Sequence, residues 1–552
     1  MTGRRIRRLF FCILFCSLFC LPGTARAAEG RESGSARISL FIEGKRTETF
    51  PGRTEGLLLC AESFRELAGM AVLDYPDGRI LVQSGTAQVL MRRESSTAYT
   101  ALEPIWLQNA PFEDMGRLWL PAELLWKVLG CRLELAEPPR HGINIRLPDR
   151  EERLPASYDG RKYGRTAAVQ DQGDQGSCWA FAALTALEML DRPGKTPLYS
   201  AEHMIRHNSF GLQDREGGDY TMAEAYLLAW QGPVTETEDP YGDGESPEGL
   251  AAAAHVQEVR HLQDAGREEI RQAVFCYGGV LTSLYMPPDG SRDNMPGYRK
   301  DRSSYCYRGQ EMSNHDVVII GWDDRYPREA FAGEVRTDGA WICQTSWGEA
   351  FGDGGFFYVS YEDARIGEKG TVFTRSDPPD HYDNIYQSDL CGRIGRAGFA
   401  SDTVWMANCY TAENSEALCA AGFYTVGEGN SYEIWYVPQA EGKDSFPNRK
   451  RLAAGQFPES GFVTVEFPDP PSLEAGEDFA LLIRLTSPGE THPAAVEYRA
   501  GRAAGRVILE DGKGYLSPDG ENWESAEESY DCNICLKAYT RKLRLQPEKE
   551  KG

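Results

Sequence analysis

Hydrophobic residues follow the same pattern twice near the start of the chain. Residues 57–82 and 118–145 align with Gly69 opposite Gly130. Each copy predicts a short apolar strand, a helix that ends at its glycine, and then a strand, a turn and a strand. Two such copies favour a compact α+β domain over residues 36–147 rather than a solenoid.

The pattern changes at Cys178, where a polar, glycine-rich loop gives way to an apolar, alanine-rich run. The sequence QGDQGSCWAFAALTALEML, residues 172–190, predicts a buried helix that begins at this cysteine. A second apolar run, VVIIGW, follows directly after His315 and predicts a buried strand.

Short strands dominate the last third of the chain. Between residues 381 and 541, segments such as FYTVGEGNSYEIWYV and DFALLIRLTS are separated by turns rich in Gly, Asn and Asp. This spacing predicts an all-β sandwich. The charged residues 542–552 that follow predict an unstructured tail.

The N-terminus has the three parts of a secretory signal peptide. A basic head precedes an apolar run from about Leu9 to Leu21, and Ala25-Arg26-Ala27 provides a cleavage site. We expect residues 1–27 to be removed on export; the alternative is an uncleaved anchor, for which the apolar run is short. No later segment is apolar enough to cross a bilayer.

Composition narrows the possible partners. A chain of 552 residues should form about three domains. Its formal net charge of −24 argues against nucleic acid as a partner. Of the 14 cysteines, three lie in the predicted signal peptide. With Cys178 set aside, ten remain that could pair in an oxidising compartment.

Cys178 is the first candidate for chemistry. The start of a helix presents unpaired N–H groups and a partial positive charge, which stabilise a thiolate. A lone cysteine is more often a small buried residue. A nearby histidine would make it an activated nucleophile.

Several blocks, in order, resemble the papain-like cysteine peptidases. They include QGDQGSCWAFA, LYSAEHM, EGGDYTMAEAYL, SNHDVVIIGWDD and TSWGEAFGDGGFFYVSYED. The resemblance implies a two-lobe α+β peptidase core over residues 155–376. It also implies that Cys178 attacks the peptide carbonyl, that His315 is its base, and that Gln172 donates its side-chain amide to the oxyanion hole.

The same resemblance implies further site residues. Gly217 and Gly218 would let an extended peptide hydrogen-bond to bare backbone. Trp347 would shield His315 and line the substrate site. Thr345 stands where the family has the asparagine that orients the histidine, so we expect direct or water-bridged support of the imidazole and reduced or pH-shifted activity.

Asp316 follows the candidate base directly. In the family this position is usually Ala or Gly and borders the second substrate subsite. A carboxylate there would favour a basic side chain two residues before the scissile bond. The alternative is that Asp316 turns aside and pairs with a nearby base.

Both flanks resemble known modules. Residues 36–147 resemble the amine-oxidase N-terminal-like domains of exported bacterial proteins, and residues 381–541 resemble the lectin-like domain of clostridial-type, multidomain papain relatives. Five aromatic residues of the second module could stack on sugars, although most aromatics in such a domain belong to its core: Tyr382, Tyr386, Trp405, Trp435 and Trp523.

Two weaker motifs point to metals. His203 and His207 are four apart on a predicted helix, but no third ligand is evident and a solvated helix face is favoured. Cys532 and Cys535 lack a second such pair, so a disulfide to elsewhere or two buried thiols is favoured. We expect no metal and no cofactor.

The sequence therefore predicts an exported, papain-like cysteine endopeptidase, secreted or at the cell surface. Its partners would be protein or peptide substrates and cell-surface glycans, with no membrane span after signal removal. The alternative is a weak or inactive peptidase homologue that acts as an adhesion or glycan-binding protein. A thiol-directed probe would separate the two.

Overall fold

A computed structural model describes residues 39–543 with internal gaps. The gaps are 48, 52–55, 86, 101–103, 115, 136–141, 149–153, 191–196, 213–215, 289–291, 502 and 510–512. The predicted signal peptide lies outside the described residues, as does the predicted tail after residue 543. Among the described helices, none is both long and apolar enough to cross a bilayer.

The N-terminal segment consists of short strands and two short helices. A π-helix spans Ser63–Leu67, and α1 spans Leu124–Lys127. The strands are β1 (Ser39–Ile42), β2 (Lys45–Thr47), β3 (Phe50–Pro51), β4 (Leu57–Cys60), β5 (Ala71–Asp74), β6 (Arg79–Ser84), β7 (Ala87–Arg92), β8 (Thr97–Tyr99), β9 (Pro104–Trp106), β10 (Phe112–Asp114), β11 (Arg117–Pro121), β12 (Arg132–Leu135) and β13 (Gly142–Arg146).

The sequence repeat appears in the order of these elements. Strand, helix, strand and strand follow one another in both copies, as β4 to β6 around the π-helix and as β11 to β13 around α1. Gly69 and Gly130 both have positive φ, which allows the chain to turn after each helix. The first strands of the two copies pair antiparallel, with Leu59 opposite Leu120.

The central segment has a helical half and a sheet half. Its helices are α2 (Cys178–Glu188), α3 (Ala201–His207), α4 (Tyr220–Leu228) and α5 (Arg267–Tyr277), with 3₁₀ turns at Gly160–Tyr163, Lys300–Arg302 and Arg328–Ala330. Its strands are β14 (Ser157–Asp159), β15 (His255–Gln263), β16 (Val280–Leu284), β17 (Tyr298–Arg299), β18 (Ser304–Tyr305), β19 (His315–Asp323), β20 (Ala340–Gln344), β21 (Phe356–Ser360) and β22 (Lys369–Asp377).

Helix α2 is buried around almost its whole circumference. Every residue from Trp179 to Glu188 is buried, because the helix lies between the sheet and the other two helices of its half. A helix that is apolar on all sides is typical of this central position. Cys178, at its first turn, is the half-buried exception.

The C-terminal segment is a β-sandwich. Its strands are β23 (Asn384–Tyr386), β24 (Gly395–Ala397), β25 (Thr403–Thr411), β26 (Glu416–Thr425), β27 (Asn430–Pro438), β28 (Lys450–Phe457), β29 (Gly461–Glu466), β30 (Ser472–Leu473), β31 (Asp478–Thr486), β32 (Ala494–Glu497), β33 (Gly514–Ser517), β34 (Glu524–Ser525), β35 (Asn533–Ile534) and β36 (Leu536–Lys542). A 3₁₀ turn, Lys443–Asn448, and helix α6 (Ala526–Tyr530) complete it. A six-stranded sheet of β28, β27, β31, β25, β33 and β34 faces a layer that contains β29, β26, β36 and β23.

One sheet crosses from the central segment into the sandwich. β15 pairs with β22 on one side and with β29 on the other, where Val259 lies opposite Phe462. The predicted order of an α+β core followed by an all-β sandwich is present in the structure. The strand pattern alone did not predict this shared sheet.

Residues from Leu40 onward belong to one compact unit. Within it, the N-terminal segment contacts α5, where Gln272 Nε2 donates to the Gly69 carbonyl oxygen over 2.8 Å. Arg117 also forms an ion pair of 2.8 Å with Glu466 of the sandwich.

Candidate active site

Cys178 lies where a loop enters the first turn of α2. Backbone N–H groups of Asp316, Trp179 and Cys178 itself face its sulfur and lower the pKa of the thiol. Burial, followed by the negative charge of Asp316, outweighs them and raises that pKa to about 11. Because Asp316 follows His315 directly, the contact with its N–H places the thiol beside the start of β19.

His315 is buried at the start of β19. Its Nε2 lies 2.9 Å from Thr345 Oγ1, and its ring stacks on Trp347 with 4.4 Å between the ring centroids. Burial, followed by the positive charge of Arg292, lowers the pKa of the imidazole to about 3. When Nε2 carries the proton and donates it to Thr345, Nδ1 is left as the basic nitrogen.

The side chain of Gln172 is fixed by hydrogen bonds at both ends. Ser346 Oγ donates to its Oε1 over 2.6 Å, and its Nε2 donates to the Gln175 carbonyl oxygen over 2.7 Å. These bonds orient the amide with its nitrogen on the side of the 172–178 loop. An amide nitrogen has two hydrogens, so the second remains for a ligand.

The Gln172 loop and the Thr345–Trp347 segment are joined through their backbones. The Gln172 N–H donates to the Ser346 carbonyl oxygen over 2.9 Å, and Asp171 forms a β-bridge with Trp347. The Thr345 N–H donates to the Gly355 carbonyl oxygen over 3.1 Å. The backbone therefore fixes the position of Thr345, which contacts His315, relative to the side-chain amide of Gln172.

Gly217 and Gly218 lie against the loop that leads into α2. A Cβ atom at Gly218 would come within 2.6 Å of the Trp179 indole, and one at Gly217 would lie 3.9 Å from the Gly176 carbonyl oxygen. Gly217 also has a φ of +78°. A side chain at Gly218 would collide with the buried Trp179, so only glycine fits there. The chain therefore presents bare backbone beside the loop that leads to the cysteine.

Asp316 is buried, and Ser283 Oγ donates to its carboxylate. Ser283 is its register partner on the neighbouring strand β16. Burial, followed by the charge of Asp219, raises the pKa of Asp316 to about 6, and the Ser283 hydrogen bond opposes this shift. Among the described residues, Asp316 has this neutral hydroxyl as its hydrogen-bond partner and forms no ion pair with a base.

Three contributors to this site were not identified from the sequence. Ser346 lies next to Thr345 inside the block that resembles the papain family, so the sequence could have identified it. Arg292 lies 5.2 Å above the Trp347 ring, and Tyr241 OH donates to the Gln172 carbonyl oxygen over 2.9 Å. Arg292 comes from a loop without a motif, whereas Tyr241 lies in GPVTETEDPYGDG, a block that resembles the family but did not by itself indicate a role at the site.

Most cysteines in the described part of the chain form no disulfide. Ten have free thiols: Cys60, Cys178, Cys276, Cys306, Cys343, Cys391, Cys409, Cys419, Cys532 and Cys535. Cys532 and Cys535 are both buried, which agrees with the second of the two alternatives for that motif.

The five aromatic residues considered for sugar stacking do not form an exposed platform. Tyr382, Tyr386 and Trp523 are buried in the sandwich. Trp405 and Trp435 are half-buried and stack on each other with 4.7 Å between their centroids. These side chains serve the packing of the domain.

The prediction of a solvated helix face at His203 and His207 is wrong. His203 is only 4% exposed and His207 is half-buried, because this face of α3 packs against Tyr226 of α4 and against the segment that contains Asp239.

Two family models match separate parts of the chain. Residues 154–373 match the family model described as papain family cysteine protease, and residues 385–540 match that of the lectin-like domain. Both matches lie after residue 153, so the amine-oxidase N-terminal-like identity of residues 36–147 stays a prediction.

Individual relatives give the same result. Cathepsin K of Gallus gallus is 29% identical over 251 residues, which cover 43% of this chain and 68% of that protein. The structure of the clostridial cysteine protease Cwp84 after propeptide cleavage superposes with a TM-score of 0.62 at 25% identity, covering 70% of this chain and 99% of that one. A structure of the cysteine protease and lectin-like domains of Cwp84, a surface layer associated protein of Clostridium difficile, gives 0.60 at 24% identity, with 70% and 89% covered. The chain therefore contains a papain-family cysteine protease domain followed by a lectin-like domain, the architecture of clostridial Cwp84.

Proposed function

We propose that this protein is an exported endopeptidase that cleaves peptide bonds with Cys178 as nucleophile and His315 as general base. The observation that carries the proposal is the position of His315. Its Nε2 is hydrogen-bonded to Thr345 at 2.9 Å, and the adjacent Asp316 N–H faces the Cys178 sulfur. In this proposal Thr345 orients His315, and His315 activates Cys178. Nucleophilic catalysis by a thiol requires this sequence of contacts.

Burial raises the pKa of the Cys178 thiol and lowers the pKa of the His315 imidazole, so the charged pair depends on stabilisation inside the site. Reaction begins when the thiol proton moves to Nδ1 of His315. The resulting thiolate–imidazolium pair is stabilised by mutual attraction, by the N–H groups that face the sulfur, and by the Nε2–H bond to Thr345.

The thiolate then attacks the scissile carbonyl carbon, and the carbonyl π electrons move to oxygen. The Cys178 N–H and the free amide hydrogen of Gln172 stabilise this oxyanion. His315 gives its proton to the departing amine as the C–N bond breaks, which leaves a thioester on Cys178. Water, deprotonated by His315, hydrolyses the thioester to release the acid and restore the thiol.

Substrate binding in this proposal involves three neighbouring features. The peptide backbone pairs with Gly217 and Gly218, and Trp347 covers the base. Asp316 selects a basic side chain two residues before the scissile bond, helped by the negative charge of Asp219. The negative charges of Asp316 and Asp219, with no base paired to Asp316 among the described residues, support this preference over an apolar one.

The proposed site of action is the cell surface or the medium. The N-terminal signal pattern supports export, and the lectin-like domain supports recognition of surface glycans through residues other than the five buried or half-buried aromatics. The adhesion alternative is not favoured, since an inactive scaffold would not need the Gln172 amide to be held at both ends.

Hydrolysis of a fluorogenic peptide with Arg at the second position before the scissile bond tests the proposal. The parent should cleave it, whereas Cys178→Ser and His315→Gln should lose about 10³-fold or more of kcat. His492→Gln, a change at an exposed histidine of the sandwich, is the matched control. Equal rates in the parent and in Cys178→Ser would contradict the proposal.

A further inference from the structure

We propose that His203, His207 and Asp239 form a binding site for a divalent transition metal ion, with Zn²⁺ as its preferred occupant. Each residue offers one ligand atom, and the three atoms lie within 4.8 Å of one another. The site is separate from Cys178 and does not depend on peptidase activity.

The two histidines share one face of α3. Residues four apart on a helix lie one above the other, and here the two rings stack with 4.2 Å between their centroids. His203 is also held from outside the helix, because its Nδ1 lies 2.7 Å from Tyr226 OH. A metal-binding histidine commonly has such a partner on its other ring nitrogen, which fixes the orientation of the ring.

Asp239 provides the independent evidence for a ligand. It is completely buried, and its Oδ1 has no hydrogen-bond partner. Its Oδ2 accepts a hydrogen bond of 2.5 Å from Ser246 Oγ. No ion pair with Asp239 occurs among the described residues. A buried carboxylate without a cation is costly, and a metal ion would satisfy both its charge and its free oxygen.

Ser246 shows that two of the three residues, His207 and Asp239, converge on one polar position. Its Oγ lies 2.9 Å from His207 Nε2 while it also donates to Asp239. In a tetrahedral zinc site the ligand atoms are about 3.3 Å apart, so small rotations of the side chains would bring the set into range. The half-buried His207 and Ser246 leave an entry path from solvent, and water or Ser246 Oγ can complete the coordination.

The donor set selects the class of metal. Two imidazoles and one carboxylate suit Zn²⁺ and its transition-metal neighbours, whereas Ca²⁺ and Mg²⁺ require oxygen ligands. The ion would tie α3 to the segment around Asp239. This segment also contains Tyr241, which hydrogen-bonds to the Gln172 carbonyl oxygen, so the metal would stiffen one support of the candidate active site.

Calorimetric titration of the full-length Cys178→Ala variant with Zn²⁺ tests this site, because that change removes the competing thiol. We expect one equivalent to bind, with affinity reduced at least about tenfold by His207→Gln and by Asp239→Asn but not by the control His492→Gln. Excess Ca²⁺ or Mg²⁺ should not compete. Absence of Zn²⁺ binding, or equal affinity in His207→Gln and its parent, would overturn the proposal.

Two further measurements distinguish loss of the metal site from unfolding of the variant and from metal binding at cysteines. Zn²⁺ should raise the Tm of the parent but not that of His207→Gln, and the two should melt together in chelator. Co²⁺ should give visible absorption bands without a thiolate charge-transfer band. A strong thiolate band would place the metal on cysteine and overturn the proposal.

Discussion

The Nε2 atom of His315 lies 2.9 Å from Thr345 Oγ1, which is a direct hydrogen-bond distance. The shorter threonine side chain therefore reaches the imidazole without a bridging water. Both residues are buried, so the bond is shielded from competition with solvent. Thr345 can thus orient the candidate base, although the family has asparagine at this position.

Thr345→Val removes this hydroxyl while nearly preserving the shape of the side chain. We expect kcat/KM for peptide hydrolysis to fall about tenfold, because loss of one buried hydrogen bond costs about 1–1.5 kcal/mol. Thr345→Ser retains the acceptor and should stay within about threefold of the parent. Equal rates for the Val and Ser variants would show that this bond does not orient His315 during catalysis.

Gln172→Ala should lower kcat by about 10²-fold or more, because it removes one proposed oxyanion donor. Ser346→Ala removes only the hydroxyl that holds Gln172 Oε1, so its effect should be smaller, about tenfold, and should appear in kcat rather than KM. Steady-state kinetics on one peptide substrate measures both. A change confined to KM would contradict the proposed role.

Asp316 predicts a pH-dependent specificity. Its pKa of about 6 means that the carboxylate is mostly protonated below that pH and charged above it. The preference for Arg over Leu at the second position before the scissile bond should therefore increase as the pH rises from about 5 to about 8.

Matched substrates that differ only at that position measure this preference. The ratio of their kcat/KM values should rise about tenfold across the range in the parent and should not change with pH in Asp316→Asn. A Leu preference at all pH values would refute the assignment of Asp316 to this subsite.

His255 predicts a pH dependence of stability. It stacks on Trp230 with 3.7 Å between centroids, and burial lowers its pKa to about 4 against an unfolded value of 6.5. As the pH falls, the unfolded chain takes up a proton at His255 before the folded protein does. The stabilisation from the neutral, buried imidazole is therefore complete above pH 6.5 and is lost as the pH falls toward 4.

His255→Phe keeps the aromatic stack but cannot titrate. Relative to the parent, its free energy of unfolding should gain up to about 1.4 kcal/mol for each pH unit between about pH 6.5 and about pH 4. Urea unfolding at several pH values, with His492→Gln as control, measures the difference. A difference that does not vary with pH would contradict the lowered pKa of His255.

Much of the fold and of the candidate site could be predicted because the information is local. The helix start at Cys178 and the strand start at His315 each follow from a polar-to-apolar change within a few residues. The turns of the sandwich are marked by Gly, Asn and Asp. The match to the papain family then relates segments that are far apart in the chain.

The rest depends on contacts that no local pattern encodes. Asp239 approaches His203 and His207 from a loop, which is why a third metal ligand was not evident in the sequence. Ser283 meets Asp316 only through the register of β16 against β19. The sheet continues into the sandwich through β15 and β29, and pairing of strands so distant in sequence follows from the tertiary structure.

Covalent labelling with an epoxide-type thiol-peptidase inhibitor tests the central claim most directly. Intact-mass measurement after incubation between about pH 5 and pH 8 should show one inhibitor per chain, with peptide mapping to Cys178. His315→Gln should react much more slowly, and Cys178→Ser should not react. Absence of labelling at every pH, or labelling that persists in Cys178→Ser, would contradict the assignment of Cys178 as the nucleophile.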